Sequence, residues 1–217
     1  MNNMEQARFN MVEQQIRPWD VLNPEVLSLL FVVKREEFVP AAHRALAFSD
    51  LEIPLPEGEN MFAPKLEARI LQELTLQPHE SVLEIGAGSG CLAALLAYQA
   101  DHVTTYEIKP ALQTLAQQNL ARAEIKNVTV VAGDGLQAGD ETQYDAIVLS
   151  GSLPELPQQM LQRLRVGGRL LSFIGTAPVL SAQLTTRTAA DKFETRKLFE
   201  TYVRPLVGAE QFSHFKF

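Results

Sequence analysis

Only one cysteine, Cys91, occurs in 217 residues. That excludes an internal disulfide and fits a reducing compartment. Lysines and arginines nowhere gather into a phosphate-binding stripe, and the net charge is −7, so nucleic acid is disfavoured as a partner. Long apolar runs are also missing. The stretch Val26 to Val33 is broken by Ser28 and falls well short of the ~20 residues that span a bilayer. The start, Met1-Asn2-Asn3-Met4-Glu5, has no apolar signal-peptide core. A cytoplasmic protein with no membrane partner is the expectation. His43, His79, His102 and His214 are dispersed, with no pair at ligand spacing and no zinc pattern around Cys91, so no metal is expected. No Gly-x-Ser-x-Gly elbow marks a hydrolase, and there is neither an internal repeat nor a low-complexity linker.

What is present centres on Ser81-Val82-Leu83-Glu84-Ile85-Gly86-Ala87-Gly88-Ser89-Gly90, followed by Cys91-Leu92-Ala93-Ala94-Leu95-Leu96-Ala97. A β-branched apolar run, alternate glycines and then an alanine- and leucine-rich run read as strand, tight turn and helix. Glycines there permit positive φ and close backbone approach to a ligand, beside the free N–H groups of a helix start. The third glycine of a dinucleotide fingerprint would fall on Cys91, which weakens a dehydrogenase reading. A nucleoside cofactor without a pyrophosphate, such as S-adenosyl-L-methionine (SAM), needs the close approach alone. A tight connection with no ligand is the plainer alternative. For Cys91 itself, burial in packing is favoured over a reactive thiol.

Along the chain, Met4 to Ile16 reads as an amphipathic helix stopped at Arg17-Pro18. Asn23-Pro24 caps a second helix through Val33, and Asp50 to Pro64 is a long proline- and glycine-rich loop. A helix from Pro64 carries Leu66, Ile70, Leu71 and Leu74 on one face. Strands are expected at Val82–Ile85, Val103–Tyr106, Val128–Val131, Asp145–Leu149 and Arg169–Ile174. Helices are expected at Pro110–Ala123 and Glu155–Leu164. Alternating threonines, charges and apolar residues from Ala182 to Leu206 suit antiparallel strands on one edge.

Glu107 follows the first glycine of the turn by about 20 residues, the place of a carboxylate that accepts from ribose hydroxyls; a solvated strand end is the other reading. Asp134, between Gly133 and Gly135, is placed to accept from an adenine amino group or simply to make a turn. The alternating pattern indicates the α/β class, a doubly wound, mostly parallel Rossmann-like sheet with N-terminal helices and added C-terminal antiparallel strands. One domain over 1–217 is expected: a helical and loop extension (1–78), a cofactor-binding core (79–175) and C-terminal strands (176–217).

With Arg35-Glu36-Glu37-Phe38-Val39-Pro40, Leu55-Pro56-Glu57-Gly58, the glycine segment, Gly133-Asp134-Gly135, Asp145 to Pro157, Gly167-Gly168-Arg169-Leu170 and Arg204-Pro205-Leu206 in this order, the chain resembles the protein-L-isoaspartate O-methyltransferase family over nearly its whole length. The resemblance implies a SAM-dependent methyltransferase that methylates isoaspartyl carboxylates in damaged protein and releases S-adenosyl-L-homocysteine. It places Gly86, Ala87 and Gly88 under the cofactor, with Glu84 supporting the turn. Glu107 then binds the ribose and Asp134 with Gly135 borders the adenine, with Ile108 and Gly133 also among the cofactor-binding residues. It also exposes a departure. Where the family carries Thr-Ile-Ser-x-Pro, with the serine in the active site, this sequence has Asn60-Met61-Phe62-Ala63-Pro64.

Phe62 cannot donate a hydrogen bond; Asn60 or Ser152 is left to do so, and Phe62 is either a packed core aromatic or a pocket wall. Three readings therefore stand: an isoaspartyl enzyme with an altered loop, a methyltransferase for a less polar acceptor walled by Met61 and Phe62, or a SAM-binding sensor or partner protein without transferase activity. The partner would be an isoaspartyl protein or peptide, or a small acceptor.

Overall fold

A computed structural model describes residues 3–139 and 142–209; His214 lies outside the described residues. Helix α1 (Asn3–Met11) widens into a π turn, Val12–Ile16, and tightens into a 3-10 turn, Arg17–Trp19. This differs from one uniform helix to Ile16. Pro18 has no N–H to continue the ladder, and the altered winding still buries Met11, Val12 and Ile16. In helix α2 (Pro24–Val32), the Asn23 side chain accepts from the N–H groups of Glu25 and Val26 at 2.8 and 3.4 Å. The loop before Pro64 holds a small antiparallel hairpin, β1 (Ile53–Pro54) with β2 (Asn60–Met61). Its tip turns at Glu57 and Gly58, both with positive φ.

Helix α3 (Pro64–Leu74) buries the expected Leu66, Ile70, Leu71 and Leu74. Next come β3 (Ser81–Ile85), α4 (Cys91–Ala97), β4 (His102–Glu107), α5 (Pro110–Arg122) and β5 (Val128–Ala132). The series ends with β6 (Tyr144–Leu153), α6 (Gln158–Gln162), β7 (Leu164–Thr176), β8 (Val179–Ala189) and β9 (Lys192–Thr201). Seven strands form one sheet in the order β5-β4-β3-β6-β7-β8-β9. The pairs among β5, β4, β3, β6 and β7 are parallel, and β8 and β9 are added antiparallel. That is the doubly wound sheet with an antiparallel edge. Every residue of α4 is buried, as expected of a helix apolar on all sides.

Two further elements depart from the sequence reading. The helix expected over Glu155–Leu164 is only the single turn of α6, because Pro157 holds Leu156 out of helical geometry and Leu164 already pairs with Tyr144 in the sheet. Strand β6 runs past Leu149, where the expected strand ends, through Ser150-Gly151-Ser152. The cause lies far along the chain. Beyond β9, the run Val203–Leu206 leaves the sheet edge and crosses back onto β6. The Ser152 N–H donates to the Arg204 carbonyl (2.8 Å) and the Leu206 N–H to the Ser152 carbonyl (3.0 Å), while the Ser152 hydroxyl donates to the Val203 carbonyl (2.8 Å). Ser152 is thereby buried and spent.

A Cβ on Gly151 would stand 2.7 Å from Leu206 Cδ2 and 3.0 Å from the Leu206 nitrogen, so only glycine admits this crossing. Gly151→Ala is expected to lower stability by about 1–3 kcal/mol, the usual cost of overpacking, and to speed cleavage of the displaced C-terminal run by a protease of broad specificity such as subtilisin; unfolding by denaturant and timed proteolysis would measure both.

Candidate functional site

The strand order reverses between β3 and β6, and ligands of doubly wound sheets bind outside the carboxyl ends of the strands at such a point. A cleft open to solvent lies there, lined by residues of the turn after β3, the end of β4 and the turn after β5. Its floor is the turn after β3. Gly86, Gly88 and Gly90 have φ of +100°, +53° and +81°, the left-handed region that favours glycine. The Gly86 and Ala87 N–H groups donate to the Tyr106 carbonyl at 2.8 and 3.2 Å, fixing the turn against β4.

Glu107 closes β4 and is 5 % exposed. One carboxylate oxygen accepts from the Gly88 N–H (2.9 Å) and the other from the Lys109 N–H (3.0 Å). The carboxylate is therefore a fixed acceptor facing the cleft, not a solvated strand end. Ile108 lies beside it and is exposed. Gly133 (φ +131°), Asp134 and Gly135 form the wall after β5. Asp134 Oδ1 accepts from the Leu136 N–H at 2.9 Å, so the turn and the cleft wall are one feature. Gly135 is needed for packing: a Cβ there would lie 2.4 Å from Ile85 Cδ1 and 2.7 Å from Tyr106 Cβ.

Two of the expected residues, Glu84 and Ala87, do not line this cleft. They border a smaller cavity beneath the glycine turn, together with Glu67, Cys91 and Ser150. Glu84 is fully buried. It accepts from the Thr105 hydroxyl (2.6 Å) and the Ser150 hydroxyl (3.3 Å). Burial pushes its carboxyl up to about 8, against those two hydrogen bonds and with the charges of Glu107 and Glu67 adding to the rise.

Phe62 meets both expectations at once. Its ring packs edge-on against Phe173, with centroids 5.9 Å apart at 66°, and it also lines the cleft. The Asn60 amide donates to Glu52 (2.8 Å) at the rim. Ser152 is not at the cleft at all; Ser150 is. Unanticipated wall residues are Glu52, Glu59, Lys109, Leu112, Arg204 and Leu206. Lys109 pairs with Glu59 and donates to the Glu57 carbonyl at 3.0 Å, while Arg204 donates to the Gly58 carbonyl. Both tie the β1–β2 hairpin across the mouth. No local signal marks them, because loop and tail approach only in three dimensions.

Among the described residues, no group of three or more His, Cys, Asp or Glu is placed to hold a metal ion, and no helix is long and apolar enough to cross a membrane.

Comparison with known proteins gives the same picture. The family described as Protein-L-isoaspartate(D-aspartate) O-methyltransferase matches residues 6–211. The chain is 40 % identical over 207 residues to Protein-L-isoaspartate O-methyltransferase 1 of Rhodopseudomonas palustris (strain HaA2), covering 94 % of this chain and 84 % of the relative. It is 32 % identical over 207 residues to the Protein-L-isoaspartate O-methyltransferase of Koribacter versatilis, covering 95 % and 93 %. In fold it is similar to a Plasmodium falciparum protein assigned as a protein-L-isoaspartate O-methyltransferase and solved with S-adenosyl-L-homocysteine. That match has a TM-score of 0.79 and 20 % identity, over 95 % of this chain and 99 % of that one.

The raised carboxyl of Glu84 gives a pH signature. Its protonated form is the one the fold favours, so its contribution is fully present below the unfolded pKa of about 4.3. That contribution is lost progressively as pH rises towards 8. Glu84→Gln should match the parent protein near pH 5 and exceed it near pH 9, by up to about 4 kcal/mol; urea unfolding at the two pH values measures the difference.

Proposed function

Because the chain belongs to the protein-L-isoaspartate(D-aspartate) O-methyltransferase family, we propose that its cleft holds S-adenosyl-L-methionine and that the protein methylates isoaspartyl carboxylates in damaged proteins and peptides. The observation carrying the site assignment is the convergence of Gly86, Gly88, Glu107 and Gly133–Gly135 on one cleft at the switch point of the sheet. These residues fit the cofactor. Backbone at positive φ leaves room where side chains would stand, and a Cβ on Gly133 would meet nothing within 4 Å. The Glu107 carboxylate suits ribose hydroxyls, and Asp134 with its neighbouring apolar wall suits an adenine edge.

When bound, S-adenosyl-L-methionine supplies an electrophilic methyl group and leaves as S-adenosyl-L-homocysteine. An acceptor carboxylate, with an ordinary pKa near ~4, is ionised at neutral pH and calls for no general base. The residues at the mouth have to align it and strip part of its water. Phe62 strips water but donates nothing, so the polar contacts to the acceptor come from other groups on the hairpin and the C-terminal run. A cytoplasmic setting and a protein or peptide partner, not nucleic acid, belong to the same reading; the net charge of −7 and the lone cysteine support it.

Calorimetry with S-adenosyl-L-homocysteine, followed by methyl transfer to an isoaspartyl peptide against its aspartyl control, tests the proposal. Binding with transfer to the isoaspartyl peptide alone is the expected result, and binding without transfer overturns the assigned acceptor. Glu107→Ala should weaken the cofactor by about 10- to 100-fold, the worth of one or two hydrogen bonds to a charged group.

A further inference from the structure

The cleft mouth is crowded with acids, yet the acceptor read above is an anion. Glu52, Glu59, Glu107 and Asp134 all line it, and each is held by a specific donor. Glu52 takes the Asn60 amide, Glu59 takes Lys109, Glu107 takes two backbone N–H groups, and Asp134 takes the Leu136 N–H. Two cations line the same cleft, Lys109 and Arg204. Lys109 is matched by Glu59. Arg204 is exposed, and the partner it holds is a neutral one, the Gly58 carbonyl.

Its position is nonetheless fixed. The backbone of Arg204 is bonded to Ser152 at the end of β6, and the Leu206 N–H bonds the same residue. Gly58 lies on the hairpin tip just before Asn60 and Phe62. An arginine presents five N–H donors in a planar fork matched to a carboxylate, and one bond to a carbonyl leaves most of that fork open. An isoaspartyl residue differs from an aspartyl one in that the main chain runs through the side-chain carboxyl, which leaves the α-carboxylate free beside the chain.

We propose that Arg204 is the acceptor-recognition residue of this chain: its guanidinium binds the free α-carboxylate of the isoaspartyl residue at the cleft mouth, in place of the hydroxyl that Phe62 cannot supply. This rests on the isoaspartyl reading. It adds a specificity: a carboxylate is preferred over an isosteric amide because of one positive charge, held by the crossing of the C-terminal run over β6.

The test uses the full chain loaded with S-adenosyl-L-homocysteine, and calorimetry with an isoaspartyl peptide and with its α-carboxamide counterpart. KM and kcat for methyl transfer to the isoaspartyl peptide accompany the binding data. The parent protein should prefer the carboxylate by about 10- to 100-fold, the worth of a charged hydrogen-bond pair. Arg204→Ala should abolish that preference and raise KM by a similar factor, with a smaller loss of S-adenosyl-L-homocysteine affinity than of peptide affinity. Arg204→Lys, which keeps the charge and loses the fork, should restore part of the preference.

Retention of the preference in Arg204→Ala overturns the proposal. So does an equal loss of cofactor and peptide affinity, since that confines Arg204 to its tie with the hairpin and gives it no contact with the acceptor. The two readings fail separately. A parent protein that discriminates carboxylate from carboxamide through Arg204 but transfers no methyl group upholds the recognition role while the proposed reaction falls. Transfer without discrimination does the reverse.

Discussion

The buried pair of Arg35 and Glu67 ties the N-terminal turns to the helix and loop that border the cleft. Arg35 bonds Glu67 on α3, donates through Nε to the Ala47 carbonyl (3.0 Å) and through Nη2 to the Phe62 carbonyl (2.5 Å). One guanidinium thus gathers the N-terminal turns, the cleft loop and the helix that packs under the sheet. Such a pair adds little net stability over an apolar replacement, but removal of one partner strands a buried charge at a cost of about 3–5 kcal/mol. Its value here is positional. The backbone of Phe62 is pinned at its carbonyl, and the ring is pinned by Phe173, so the aromatic wall of the cleft has little freedom to turn aside for a substrate.

The same pair explains Cys91. Its thiol donates to Glu67 at 3.8 Å, it is buried, and burial pushes it well above the ordinary thiol range. A thiol held protonated beneath the glycine turn is a packing element and not a nucleophile. The polar layer of Glu67, Glu84, Cys91 and Ser150 under the turn is continuous with the cleft above it through Phe62, Gly86 and Gly88, which border both. A cofactor seated on the glycines would therefore rest on a layer whose charge depends on a carboxyl titrating near 8.

How much of this was legible beforehand follows from which interactions are local. The strands from Ser81 to Ala132 and their helices were legible because each carries its own period and glycine punctuation. Glu107 was legible because its spacing from the turn is set by one strand-helix-strand unit. Helix α6 departs for the opposite reason: Glu155 to Leu164 has a helical composition, but Pro157 and the pairing of Leu164 with Tyr144 outweigh it. Ser152 looked available, yet its hydroxyl belongs to Val203. Arg204 and Lys109 carry no sequence signal for the cleft, since what brings them there is tertiary contact with Gly58 and Glu59.

The contact that closes the mouth, Arg204 to Gly58, joins residues 146 positions apart. Bringing such distant segments together pays its chain entropy before any bond rewards it. Closing the mouth therefore carries a larger loop-closure cost than forming any one of the local strand-helix units. A molecule with a finished sheet and an unfinished mouth would look native by far-ultraviolet spectroscopy while lacking the Arg204 to Gly58 contact, so secondary-structure content is a poor gauge of whether the cleft is complete.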